Sequence, residues 1–379
     1  MPPRVTVVGS INLDLVAFCE RLPRVGETLT DAELARVPGG KGANQAVAAA
    51  RLGAEVSFIG CTGSDDFGAL ARSGLEEAGV DMSGLQVADE PTGVALILVD
   101  AGGENQIVVA PGANRRLAPG SFVIGEADAV LCQLEIPVES VAAAAEQAEG
   151  MFCLNAAPAL PVPLDVLARA DIIVANSFEL DTLGSSSLGG LFALTLGAEG
   201  ALLLEGGEEL ARARPPTVKA VDGTAAGDAF CACLVVSLLE ERGYEESLRR
   251  ACTAGAIAAS RPGAQPSLPT AAEVPTASEE LDATGRFGPA VVRRYQRDLS
   301  YSTAGYIETL LTYSGHRALD PAARAGLLDC IASLIDTGYG GRIASPTVDG
   351  DLVIITKSII GRSRILVAAA STLTNGARI

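Results

Sequence analysis

The apolar positions along the chain fall into two patterns. Short runs at Val5–Val8, Val56–Ile59, Ala95–Val99, Ala129–Leu131, Phe152–Leu154, Ile172–Val174 and Ala201–Leu204 predict strands. Between them Ala43–Leu52, Phe67–Ala78, Val138–Ala148 and Leu164–Ala168 carry helical spacing, and helices over Ala229–Glu241 and Glu245–Ser260 follow. Alternation of this kind predicts an α/β fold, a mostly parallel central sheet with helices on both faces. Thr92–Val99 and Gln106–Val109, joined through Ala101-Gly102-Gly103, read as a hairpin belonging to a small β lid over a cleft.

The patterning changes near residue 278. Residues 1–278 hold 17 basic and 36 acidic residues, whereas residues 279–379 hold 11 and 10, and five of the six tyrosines lie in the second part. A Thr-, Pro-, Ala- and Glu-rich run, Pro269–Glu280, lies between them. We expect a domain over 1–275, a linker over 276–285 and a C-terminal extension over 286–379 of uncertain structure.

The net charge of −18 argues against a nucleic-acid partner, which needs a basic surface. No uncharged apolar run is long enough to span a membrane, and Asp14 and Glu20 interrupt any secretory apolar stretch, so a cytoplasmic location is expected. The eight cysteines form no CxxC pair and read as reduced thiols, several in the core; Cys231 and Cys233 would point to different faces of a helix. The only histidine is His316, read as a surface residue. Chemistry in residues 1–278 therefore runs without imidazole, which excludes Ser-His-Asp hydrolysis and His-ligated zinc there. A carboxylate, a lysine or a thiolate must serve instead.

Two stretches carry candidate chemistry. Gly39-Gly40-Lys41-Gly42-Ala43-Asn44 lets the backbone approach a polar ligand closely, with Asn44 offering both a donor and an acceptor. It is not a P-loop, because Gly42 rather than Ser or Thr follows Lys41. Asp222-Gly223-Thr224-Ala225-Ala226-Gly227-Asp228 opens a helix, where free N–H groups and the helix dipole suit a phosphoryl group. Read alone, the first stretch is better taken as a glycine turn opening a helix, and Asp228 as an ordinary acidic residue favoured by the dipole.

Together the two stretches resemble the N- and C-terminal motifs of the ribokinase family of sugar kinases. Gly9-Ser10-Ile11-Asn12-Leu13-Asp14, Gly112-Ala113-Asn114, Gln133-Leu134-Glu135, Asn176 with Glu179, Thr195 to Gly200 and Arg261 to Ser267 follow in the family's order. The resemblance covers residues 1 to about 275 and implies ATP-dependent phosphorylation of D-ribose to D-ribose 5-phosphate. A kinase for another pentose or a nucleoside, or a sugar-binding relic with an impaired nucleotide site, are the alternatives. It implies that Asn12, Asp14, Gly40, Lys41, Asn44 and Glu135 bind the sugar, that Asp228 is the general base, and that Ala225, Ala226 and Gly227 form the anion hole. It places ATP at Asn176, Thr195, Gly197 and Gly227, and Mg2+ near Glu179. A K+ site would draw on Asp222, Thr224, Ala258, Arg261, Gly263 and Ser267. A homodimer joined through the lid sheet is expected.

Two departures stand out. Only 18 residues separate Asn176 from Thr195, fewer than the family uses, and Gly184 to Gly190 is a glycine-serine run; a loop crossover to a strand at Leu191–Leu194, without a full helix, is expected. Residues 286–343, with helical patterns at Tyr306–Leu311 and Ala322–Ile335, resemble a C-terminal fragment of an S-adenosylmethionine-dependent methyltransferase, without its glycine-rich cofactor loop. Beyond them, Leu352–Ile355 and Ile365–Ala370 are candidate strands.

Overall fold

The computed structural model describes residues 1–102, 105–185 and 190–275, and, further on, 291–304, 307, 328–329, 331–333, 335–337, 342–359 and 362–370. It divides into two compact units, Met1–Thr276 and Ala277–Ile379. Among the described residues no helix is long and apolar enough to cross a membrane.

In the first unit β1 (Arg4–Val8) leads into β2 (Asn12–Phe18) and β3 (Glu33–Gly39), and α1 (Lys41–Arg51) follows directly. Next come β4 (Glu55–Gly63), α2 (Asp66–Glu77), β5 (Asp81–Ala88), β6 (Gly93–Val99) and β7 (Asn105–Ala110). Alternation then sets in: β8 (Ala129–Cys132), α3 (Val138–Gln147), β9 (Met151–Asn155), α4 (Leu164–Arg169), β10 (Ile172–Asn176), α5 (Ser177–Leu183) and β11 (Leu191–Thr195). A hairpin of β12 (Ala201–Glu205) and β13 (Glu208–Ala213) precedes the paired helices α6 (Ala226–Leu239) and α7 (Tyr244–Ala259).

The main sheet has nine strands in the order β13-β12-β11-β10-β9-β8-β1-β4-β5. Its pairings are parallel except at β11–β12 and β12–β13. Such a sheet is buried on both faces, so its strands read as unbroken apolar runs. The pleat sorts alternate residues into two cores: Val5, Val7, Leu131, Cys153 and Val174 pack with α1, α6 and α7, while Val8, Val130, Phe152, Leu154 and Ile173 pack with α3 and α4. Helix α6 is apolar on all sides, as a fully buried helix must be. The smaller sheet, β3-β2-β6-β7, is the expected lid, and β6–β7 is the expected hairpin.

Every strand and helix expected in residues 1–275 is present. The pattern reading missed β2, β3, β5 and β13, whose residues are half-exposed or interrupted by charge. The expected helix-free crossover after Asn176 is corrected. Ser177–Leu183 is a two-turn helix, started by a capping box between Asn176 and Glu179 and stopped by Gly184 at φ 78°. Two turns suffice because β11 lies beside β10 in the sheet, with Asn176 opposite Thr195.

The second unit contains a three-stranded antiparallel meander, β14 (Val291–Ser302), β15 (Arg342–Ile359) and β16 (Arg362–Ala370). The last two include the candidate strands expected there. The 306–311 pattern except residue 307, part of the 322–335 pattern and His316 lie outside the described residues.

Candidate active site

The carboxyl ends of β1, β8, β9, β10 and β11 face one side of the sheet, the edge at which open α/β sheets bind ligands. Two helix N-termini, those of α1 and α6, meet there.

The start of α1 is held by distant side chains. Gly40, its N-terminal cap, has φ 88°, and a Cβ there would lie 2.7 Å from the Asn12 backbone nitrogen. The Glu135 carboxylate, beyond β8, accepts the Lys41 backbone N–H at 3.2 Å and the Ser10 hydroxyl at 2.5 Å. Ser10 in turn accepts the Gly42 N–H with its hydroxyl oxygen at 3.3 Å and the Ala43 N–H with its carbonyl at 2.8 Å. A carboxylate at a helix start is favoured by the dipole. Glu135 is thus committed to the fold as well as facing the cleft.

The start of α6 differs. Its cap, Ala225, has no side chain to offer, and no side chain bonds this end. Gly227 is exposed, and a Cβ on it would meet nothing within 4 Å. Nothing in the protein itself requires glycine there.

Asp228, in that first turn, is the hub. One carboxylate oxygen accepts Asn44 Nδ2 and the other Gln45 Nε2, each at 3.0 Å. Burial pushes its carboxyl above the ordinary range, and Glu135 adds to the rise; the Lys41 charge and the two amides pull it back. Burial alone would lower the Lys41 ammonium, but Asp228, Glu135, Glu179 and Asp14 outweigh it and hold it above its usual value. Lys41 is therefore the cation that makes this carboxylate cluster tolerable. Asp14, on β2, is pushed up to about 7, first by burial and then by Glu135, Asp228 and Asp222. The neighbouring β3 ends in Gly39, where a Cβ would fall 2.2 Å from an Asp14 oxygen. The Asn44 side-chain oxygen, Oδ1, is buried without a partner in the protein.

Asn12, expected at the sugar, opens β2, and its side-chain Oδ1 accepts Asn114 Nδ2 at 2.7 Å. Asn114 also accepts the Ile11 N–H at 2.9 Å, tying the lid to the sheet. On the far side Asn176 and Thr195 lie side by side in register, with exposed Gly197 beyond at φ 58°. Glu179 is buried and bonds the Asn176 N–H at 2.8 Å.

The expected cation residues come together in part. Asp222 accepts the Thr224 N–H at 3.0 Å, the Thr224 hydroxyl at 2.5 Å and the Gly263 N–H at 2.9 Å. The Ala258 carbonyl accepts the Arg261 N–H at 3.1 Å, the Arg261 guanidinium pairs with Glu273, and the Ser267 hydroxyl turns onto the Ala264 carbonyl at 2.7 Å. The donors on offer are carboxylate, hydroxyl and carbonyl oxygens, a set that fits a hard cation. Among the described residues no cluster of three or more His, Cys, Asp or Glu side chains could hold a metal ion. A magnesium ion would lean largely on nucleotide phosphates, and Glu179 is the carboxylate that the motif likeness offers it. The residue reading assigned no role to Ser10, Gln45, Asn114, Gln133 or Asn155. Asn155 did carry a signal, a polar residue ending the apolar run of β9.

An uncapped helix start beside a buried carboxylate and a lysine is an arrangement for phosphoryl transfer to a hydroxyl. The model of the pfkB family carbohydrate kinases matches residues 2–271. The chain belongs to that family. This pfkB-family chain is 38% identical to a ribokinase of Haemophilus influenzae over 299 residues, 72% of the chain and 97% of the relative. A Bacillus subtilis ribokinase is 36% identical, covering 71% and 97%. The crystal structure of a Thermotoga maritima ribokinase superposes with a TM-score of 0.66 at 33% identity, over 72% of this chain and 98% of that one. An Arabidopsis thaliana ribokinase complexed with ribose and ATP gives 0.63 at 30% identity, over 72% and 98%. The family match ends at 271, and the methyltransferase likeness expected for 286–343 is not borne out.

Proposed function

We propose that this pfkB-family kinase transfers the γ-phosphoryl group of ATP to the 5-hydroxyl of D-ribose. The observation that carries the reading is Asp228, buried at the open start of α6 with both oxygens fixed by amides. The ribokinase relatives, one of them solved with ribose and ATP, support ribose as the acceptor.

Asp228 takes the hydroxyl proton as the sugar oxygen attacks phosphorus, and the bond to the bridging oxygen of ADP breaks. Ala225 to Gly227 present the helix start to the equatorial oxygens, where charge develops. Asp14, Lys41 and Asn44 hold the sugar, and the free Oδ1 of Asn44 supplies an acceptor for a sugar hydroxyl. Asn176, Thr195 and Gly197 line the nucleotide side. When bound, magnesium would neutralise phosphate charge near Glu179. A potassium ion at the Asp222–Gly263 knot would stiffen the loop leading into α6; rates a few-fold lower in a large organic cation at equal ionic strength are expected, and equal rates reject the site.

The lid face opposite Asp14 exposes Leu34, Leu96 and Val108, brought together by the strand register, and this apolar patch supports a homodimer through the lid. Residues 279–379 form a separate unit dispensable for chemistry, in a cytoplasmic protein. A chain ended at Ser278 that lost turnover would reject that boundary.

The test of the function is coupled ADP release across a panel of pentoses, hexoses and nucleosides, run beside sugar-binding calorimetry. Ribose should give the highest kcat/KM. Ribose binding without ADP release would identify a sugar-binding relic, a reading that the intact β10–α5–β11 crossover disfavours.

A further inference from the structure

We infer that Gln45 is a positioning residue for Asp228, and that Gln133 and Asn155 fix which way round its amide sits. The inference rests on the phosphoryl-transfer reading above.

Gln45 lies on α1 and is wholly buried. Its Nε2 donates to Asp228 Oδ1 and to Asn155 Oδ1, each at 3.0 Å, and its Oε1 accepts Gln133 Nε2 at 2.6 Å. The polarity of this chain of amides is determined from its far end. Asn155 Nδ2 donates to the Val174 carbonyl at 3.2 Å, so its Oδ1 must face Gln45. Gln45 then meets two acceptors on one side, Asn155 and Asp228, and only its NH2 group can serve both. Gln133 donates to the remaining oxygen and blocks the flipped amide, which would press a carbonyl against the carboxylate.

Three buried amides are expensive beside the apolar core to which Ala46, Cys153, Val174 and Ala229 belong. The chain is also incomplete: Gln133 Oε1 is buried without a partner. An apolar core would fold without these groups. What they achieve together is a directed donor on one Asp228 oxygen while Asn44 holds the other, which stops the carboxylate rotating and favours its ionised form. Asn155 joins the arrangement because Cys153 and Asn155 share the β9 face turned towards α1 and α6.

The test is the pH profile of kcat with ribose for the full-length wild type, Gln45→Leu, Gln133→Leu and Gln45→Glu. Losing the donor in Gln45→Leu should move the acid limb up by about one unit. On that limb kcat falls about tenfold and recovers on the alkaline plateau, with KM for ribose changed by less than about threefold. Gln133→Leu, which does not touch Asp228, should move the limb the same way by less. Gln45→Glu sets a second carboxylate beside the base and should move it further. A lower melting temperature with the acid limb unmoved marks a structural role and overturns the inference. Should Gln45→Leu fail to fold, an unmoved limb in either of the other variants does the same. A wild type that does not phosphorylate ribose overturns the parent reading, whereas normal wild-type turnover with unmoved limbs overturns this inference alone.

Discussion

The two helix starts at the site solve one physical problem in opposite ways. Each exposes backbone N–H groups with no partner inside the helix and a partial positive charge. At α1 the protein closes the gap itself, with Ser10 and Glu135 reaching in from the loops after β1 and β8. At α6 the cap is alanine and no side chain reaches in. Glycine is present at both, for different reasons. Gly42 is hemmed in, since a Cβ there would lie 2.6 Å from the Ser10 nitrogen and 2.7 Å from Gly9. Gly227 opens onto nothing in the protein. The contrast separates an N-terminus that the protein closes itself from one that it leaves open.

The strongest way to break the comparison is Gly42→Ala. Its Cβ meets backbone rather than a yielding side chain, so the sheet and α1 must part. A melting temperature lower by roughly 5–10 °C is expected, as several kcal/mol would give in a domain of this size. Calorimetric unfolding checks it, and an unchanged melting temperature would show that α1 is not locked to β1.

Gly227→Ala should do the reverse. Helical alanine is about 0.5–1 kcal/mol better than glycine, so stability holds or rises slightly. The methyl group stands where a phosphoryl group would sit, and kcat should fall by about 10- to 100-fold. Unchanged turnover would mean that α6 does not face the phosphate.

Asp14 sharpens the picture through pH. Its folded carboxyl, at about 7, lies above the ordinary value of about 3.9. The folded chain therefore binds a proton between pH 4 and 7 that the unfolded chain does not, and the apo protein loses stability as pH rises through that window. Asp14→Asn should flatten this slope in a plot of melting temperature against pH and stabilise the apo protein at pH 7.5 by about 1–3 kcal/mol. It should also weaken ribose binding by about tenfold in calorimetry. An unaltered slope would show that Asp14 is not a strained buried charge.

Much of this was legible in the sequence. The parallel strands are unbroken apolar runs, and the absence of histidine from residues 1–278 left a carboxylate, a lysine or a thiolate for the chemistry, among which the motif likeness singled out Asp228. The lid strands β2 and β3 were not legible, because Asp14 interrupts the run of β2 and Glu33 and Arg36 interrupt that of β3. Helix α5 was obscured by the glycine-serine run after it, although Asn176 and Glu179 spell its capping box. Ser10, Gln45 and Gln133 sat inside motifs read for their neighbours. Asn155 comes within hydrogen-bonding distance of Gln45 only when β9 and α1 are packed, a relation that spacing along the chain does not contain.

The account stands or falls on Asp228 as a base in a half-site built before the nucleotide arrives. The most direct test is Asp228→Asn, with ribose affinity from calorimetry and kcat from ADP release measured on the same preparation. The amide keeps the shape and loses the proton acceptor, so kcat should fall by about 10²–10⁴ while the Kd for ribose stays within about fivefold. Near-normal turnover in that variant would contradict the account.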